Sequence, residues 1–187
     1  MKKTSTYRVS TYKICIVAFA ICINLVGGQI ALFLKLPIYL DSIGTVFIAS
    51  TLGPIYGMLP NVISGLFMGM TVDVYSLYYA PVGIILGLVT GLVYRKYKPK
   101  KWWIFVAALV ITLPSTIVSS CITAFLFGGT TSSGSTVLVQ LLAKTPMGMV
   151  GACFVVQFFT DYIDRVICLF VVSALTKALP RNMMERL

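Results

Sequence analysis

The chain is predicted to be an all-α integral membrane protein, a bundle of six transmembrane helices with both termini in the cytoplasm. Three observations predict it. First, 58% of the 187 residues are apolar and 11% are charged, against roughly 25% charged in soluble domains, and the mean hydropathy is +0.95. Second, apolar runs recur at lengths near the roughly 20 residues that a spanning helix needs. Third, the Lys and Arg residues gather in clusters that flank those runs, the charge pattern of cytoplasmic helix ends.

The elements follow in order along one membrane domain, 1–187. The first span covers about 12–34, carries Asn24, Gly27, Gly28 and Gln29, and is ended by Lys35 and Pro37. Leu36–Asp41 forms a short loop, and Asp41 followed by Ser42 reads as a helix N-cap. From Ser42 to Tyr94 the chain is apolar with one charge, Asp73. That length fits three spans, near 42–58, 60–75 and 80–95, broken at Gly57–Pro60 and at the stretch Asp73–Pro81. A fifth span, 102–127, opens on Trp102 and Trp103, as interfacial aromatics do. Gly128–Gly134 is a loop. Counting roughly 20 residues back from Lys177 starts the last span near Gln157 and ends it near 179. Residues 128–156 are then an outer loop with a short helix or re-entrant piece.

Charge bias orients the bundle. The clusters Lys2, Lys3, Arg8 and Lys13, then Arg95 to Lys101, then Lys177, Arg181 and Arg186 hold twelve of the fifteen basic residues. Six spans put all three clusters on one side, and five spans would not. The net charge of +10 therefore serves anionic lipid headgroups rather than nucleic acid. The first apolar stretch is longer than a signal-peptide core and lacks a small-residue cleavage site, so it is expected to remain.

Several chemistries are excluded. There is no histidine, and no phosphate-binding glycine loop followed by Lys-Ser/Thr. No cluster has metal-ligand spacing, and no serine has an evident base. Cys15, Cys22, Cys121, Cys153 and Cys168 form no CxxC pair and read as packing residues. The chain is expected to be no enzyme, to need no cofactor, and to depend on another subunit for energy if it drives active transport.

What remains is a set of polar residues in apolar segments, where charges are costly and face cavities or one another. Asp161 and Arg165 are four apart and can pair on one helix face, with Asp164 beside them. Counting places all three in the outer half of the last span. Asp41, Asp73, Gln29 and Gln157 also fall toward the outer side, with Tyr75, Tyr78 and Tyr79 nearby. Aromatic faces with a few directed polar groups suit a small planar ligand. Glycines four apart, at Gly53 and Gly57, Gly65 and Gly69, and Gly83, Gly87 and Gly91, suit close helix packing.

Three stretches carry a family resemblance: Leu40-Asp41-Ser-Ile-Gly-Thr45, Ala80-Pro-Val-Gly-Ile-Ile-Leu-Gly87 and Asp161-Tyr-Ile-Asp-Arg165. On these the chain resembles, over essentially its whole length, the substrate-binding (S) components of energy-coupling factor (ECF) vitamin transporters. It looks most like members that take hydroxymethylpyrimidine or pyridoxine-type compounds. The resemblance implies a capture subunit in the bacterial plasma membrane, working with a transmembrane coupling subunit and two ATP-binding-cassette (ABC) ATPases. It implies a partner-facing patch at Ala18, Ala20 and Cys22. It also implies a substrate site among Tyr39, Asp41, Tyr78, Tyr79, Gln157, Asp161, Asp164 and Arg165. The competing expectations are a stand-alone secondary transporter, which would need no ATPase, and a small membrane enzyme, for which nucleophiles or metal ligands are missing.

Overall fold

A computed structural model describes residues 10–99, 101–130 and 134–178. The basic residues Lys2, Lys3, Arg8, Lys100, Arg181 and Arg186 lie outside these. Among the described residues the chain is all helical: α1 (Thr11–Phe33), α2 (Ile43–Leu52), α3 (Pro54–Thr71), α4 (Tyr75–Tyr78), α5 (Ala80–Lys96), α6 (Trp103–Phe127), α7 (Thr136–Leu142) and α8 (Gly148–Ala178). Two of them, Thr11–Phe33 and Trp103–Phe127, are long and apolar enough to cross a membrane. The outer surface is apolar: Phe19, Phe33, Ile55, Met70 and Phe125 are all more than 60% exposed. The interior holds Asn24, Thr45, Thr116, Gln157, Asp164 and Arg165. One end of the bundle, where α1 and α6 start and α5 and α8 end, carries Lys13, Arg95, Lys96, Lys101 and Lys177.

Three boundaries differ from the expected ones. The break between the second and third helices lies at Gly53–Pro54, where Gly53 takes φ 90°, a conformation that only glycine adopts cheaply. Pro54 then starts α3 in the first helical position, where its missing N–H costs nothing. Pro60, expected at the break that opens the third span, sits inside α3, which closes before Asp73 at Thr71. The last helix starts at Gly148 and runs 31 residues without interruption, so its first turns absorb part of the expected outer loop. Asp161, Asp164 and Arg165 consequently lie near its middle and not in an outer half.

Two close-packed seams set the core. Along α3 and α5, a Cβ on Gly87 would strike the Gly57 backbone, one on Gly91 the Pro54 backbone, and one on Gly83 the Asn61 side chain. The glycine spacing thus brings two helix backbones into contact, as it does in membrane helix pairs. Along α6 and α8 the contact is made by hydroxyls, described below. Val46, Ile48, Leu86, Ile111, Leu169 and Val172 fill the space between, each about 1% exposed or less.

The most consequential element is α2. Gly44, in its first turn, lies against the Ala20 backbone, halfway along α1. From Ala20 to Phe33, α1 rises about 20 Å at 1.5 Å per residue, so the chain between Leu34 and Ser42 turns back and descends into the bundle. Nine residues suffice, because extended chain covers about 3.3 Å per residue. Lys35 and Leu40 take φ 49° and 53° along the way, a region uncommon for residues with side chains. A helix that begins inside an apolar bundle has first-turn N–H groups that water cannot reach. Asn24 on α1 answers this: its Oδ1 accepts the Gly44 N–H at 2.8 Å and its Nδ2 donates to Thr45 Oγ1 at 2.9 Å. The cap expected from Asp41 is not formed, and no side chain of the Asp41–Ser42 pair caps α2.

Three substitutions test these contacts. Gly87→Ala is expected to destabilise by about 1–3 kcal/mol, lowering the apparent melting temperature, while Gly65→Ala, whose Cβ would meet only Ser76 O at 3.5 Å, leaves it within about a degree of the parent by the overpacking argument. Asn24→Ala strands the α2 amide and is expected to cost about 1–3 kcal/mol, read by thermal unfolding of the purified protein.

Candidate functional site

A cavity opens between α1, α3, α4, α5, α6, α8 and the segment that leads into α2, reaching from Leu32, Asp73 and Ser76 down to Asn24 and Arg165. It encloses about 100 Å³ of space for the centre of a water molecule. One water takes roughly 10–15 Å³ on this measure, so the space suits several waters or one small ring.

The descending segment builds one wall. Tyr39 and Asp41 both line the cavity. Asp41 Oδ1 accepts the Ser42 hydroxyl at 2.9 Å, and its backbone carbonyl accepts a long bond from Asn61 Nδ2 at 3.5 Å. The segment is tied from the opposite side by Asp164, whose Oδ1 accepts the Leu40 N–H at 3.1 Å. The other Asp164 oxygen holds Arg165 Nη1 at 2.9 Å. The expected Asp161–Arg165 pair is therefore corrected to Asp164–Arg165. Asp161 instead accepts the Thr116 hydroxyl from α6 at 2.7 Å, and both Asp161 and Arg165 border the cavity.

The α6–α8 seam continues this hydroxyl pattern. Ser119 donates to Gln157 Oε1 at 2.8 Å, and Gln157 Nε2 donates to Thr123 Oγ1 at 2.5 Å. Thr123 spends its own hydrogen on the Ser119 carbonyl, so the Tyr79 hydroxyl, 2.6 Å away, is the donor to it. This bond aims Tyr79 across the bundle and leaves its ring on the cavity wall.

The structure brings together Tyr39, Asp41, Asp73, Tyr79, Asp161 and Arg165 of the expected site residues. Asp73 stands at the rim, where it accepts the Tyr75 N–H and the Ser76 hydroxyl and so shapes the turn into α4. Gln157 and Asp164 are buried one layer behind the wall. Tyr75 and Tyr78 lie off the cavity and pack against Phe127, with ring centroids 4.6 and 5.3 Å apart. Gln29 is on the exposed side of α1. Within the expected partner patch, Ala18 and Cys22 are exposed four residues apart, but Ala20 is fully buried against α2.

Sequence reasoning missed Asn24, Asn61, Ser64 and Ser119, which also line the cavity. The sequence holds a signal for Asn24, a polar amide in the middle of an otherwise apolar span. The serines and threonines of α6 gave a second one: 112, 116, 119 and 123 recur at three- and four-residue steps, which is one helix face. Comparison with family models, with curated proteins and with solved structures found no match for this chain.

Proposed function

We propose that this chain is the substrate-capture subunit of an ECF-type ABC importer in a cell membrane, a multi-pass protein of six membrane-crossing elements. It binds a small water-soluble vitamin or precursor, of the hydroxymethylpyrimidine or pyridoxine type, and hands it to a transmembrane coupling subunit driven by two ABC ATPases. The observation that carries this reading is the cavity: a ring-sized space with a mostly apolar surface, flanked by Tyr39 and Tyr79 and by three carboxylates and a guanidinium, inside a bundle whose exterior is apolar. Tyrosine faces stack on a heteroaromatic ring, and carboxylates and amides read its donors and acceptors. The apolar exterior suits lipid, and the basic cluster at one end suits the cytoplasmic face. Ala18 and Cys22, on the outer side of α1, offer a small-residue surface to the coupling subunit.

A second reading has one observation in its favour. Secondary transporters place their sites at mid-depth beside interrupted helices, and here α2 starts at mid-depth next to Asp161 and Arg165. Reconstitution separates the two. A capture subunit copurifies with a coupling subunit and ATPases and accumulates substrate in liposomes only when they and ATP are present; a secondary carrier transports alone under an ion gradient.

Binding is best followed by calorimetry against a panel of vitamins and precursors. Trp102 and Trp103 are exposed at the basic end, remote from the cavity, so tryptophan emission is a poor reporter. Tight, saturable binding of one compound to the isolated chain is expected. Asp164→Ala is expected to weaken that binding more than tenfold without contacting the ligand, because it frees Leu40 and the wall that carries Tyr39 and Asp41. Unchanged affinity in a folded Asp164→Ala protein would detach the descending segment from the site.

A further inference from the structure

The seam between α6 and α8 continues toward the basic end with polar groups left over. Ser119 and Thr123 bond Gln157, and Thr116 bonds Asp161. Residue numbers rise on α8 as they fall on α6 along these pairs, so one turn nearer the basic end Thr112 comes opposite Arg165. Thr112 Oγ1 and Arg165 Nε are both buried and without a hydrogen-bond partner among the described residues. Elsewhere the guanidinium is fixed, since Nη1 holds Asp164 at 2.9 Å. Buried polar groups left unsatisfied in an apolar interior are costly.

A third group reaches the same depth from α5. Tyr79, at the start of α5, meets Thr123 on α6. Thr90 lies eleven residues beyond Tyr79, and Thr112 eleven residues before Thr123. Both helices descend from that bond toward the basic end, so each hydroxyl sits about 16 Å below it at 1.5 Å per residue. Thr90 follows the cavity-lining Leu86 by one turn on the same face of α5. It is fully buried, and its Oγ1 also has no partner among the described residues. Three helices thus bring three unsatisfied polar atoms to one level, a turn below Leu86, Thr116 and Asp161.

We propose that this level is a hydration site, where one buried water accepts the Arg165 Nε–H and donates to Thr112 Oγ1 and Thr90 Oγ1. A buried water ordinarily makes about three hydrogen bonds, and one N–H donor with two hydroxyl acceptors is the set that complements it. Thr112 and Thr90 are then positioning residues. Through the water they fix Nε while Asp164 fixes Nη1, so the guanidinium that borders the cavity is held at two points. The site is separate from the ligand cavity, and its occupancy does not depend on what the cavity carries.

Two cysteines make the test direct. Cys168 is fully buried and in side-chain contact with Arg165. Cys153 is equally buried but packed with Val139 and Val156. In a microsecond X-ray pulse, a bound water yields hydroxyl radicals that oxidise the sulfur beside it. On the purified full chain Cys168 is expected to oxidise severalfold faster than Cys153. Thr112→Val, which keeps the shape and removes the hydroxyl, is expected to bring Cys168 down to the Cys153 rate, and Thr112→Ser to keep it high. Thermal unfolding gives a second readout: Thr112→Val lowers the melting temperature by about 2–4 °C, while Thr112→Ser stays within about a degree. Adding Thr90→Val to Thr112→Val lowers it little further, because both hydroxyls serve one water and their effects do not add. A dry layer behaves in the opposite way, since deleting an unsatisfied hydroxyl leaves stability unchanged or raises it. Equal oxidation of the two cysteines, Cys168 oxidation untouched by Thr112→Val, or unchanged or higher melting of that variant overturns the assignment. Should Thr112→Val fail to fold, Thr90→Val takes its place in both measurements, and the ratio of Cys168 to Cys153 in the parent decides by itself.

Discussion

A helix that starts in the middle of an apolar bundle must find partners for its first backbone amides without water, and Asn24 is how this chain does it. Its amide group reaches from α1 to the Gly44 N–H and the Thr45 hydroxyl. With that end of α2 fixed at half depth, the nine residues above it have to travel inward, and their course puts Tyr39 and Asp41 on one cavity with residues from six helices. Asp164 completes the arrangement from α8 by holding the Leu40 amide. The cavity is therefore less a gap between helices than the consequence of one helix beginning late.

Much of the helical layout was legible because it depends on local chemistry. Ala80-Pro81 starts α5 and Trp102-Trp103 starts α6, close to where hydropathy and aromatic placement set them. The glycine spacing of α3 and α5 announced a close seam. The failures share a cause. Pro60 looks like a helix boundary by propensity, yet it lies buried inside α3, because propensity is overridden by tertiary context. The Gly148 start of α8 was hidden because counting back from Lys177 assumed a helix of ordinary spanning length. The site was half legible: residue types were visible, but pairing depends on which side chain a second helix meets. Spacing of four suggested Asp161 with Arg165, and Thr116 on α6 took Asp161 instead.

The two seams divide the labour of holding the bundle. α3 and α5 are joined through backbone contact at glycine, which fixes their distance and leaves no slack. α6 and α8 are joined through side-chain hydrogen bonds, strong where water is scarce, and these also orient the cavity wall. Ion pairing contributes locally: Asp164 with Arg165 is buried on both sides, an arrangement valuable for specifying a geometry and costly to break by halves.

The hydroxyl seam has a property the glycine seam lacks, namely a second register. The inner face of α6 carries Thr112, Ser115, Thr116, Ser119, Ser120 and Thr123, all buried, so each hydroxyl that α8 now uses has another about one turn nearer the basic end. Thr112 Oγ1 is unpartnered among the described residues. Sliding α8 by one turn, about 5.4 Å, would carry Asp161 from Thr116 toward Thr112 and keep Gln157 among serines and threonines. The same slide of α3 along α5 would drive Asn61 and the helix backbones into one another. The bundle thus pairs a seam that has a spare register with one that has none.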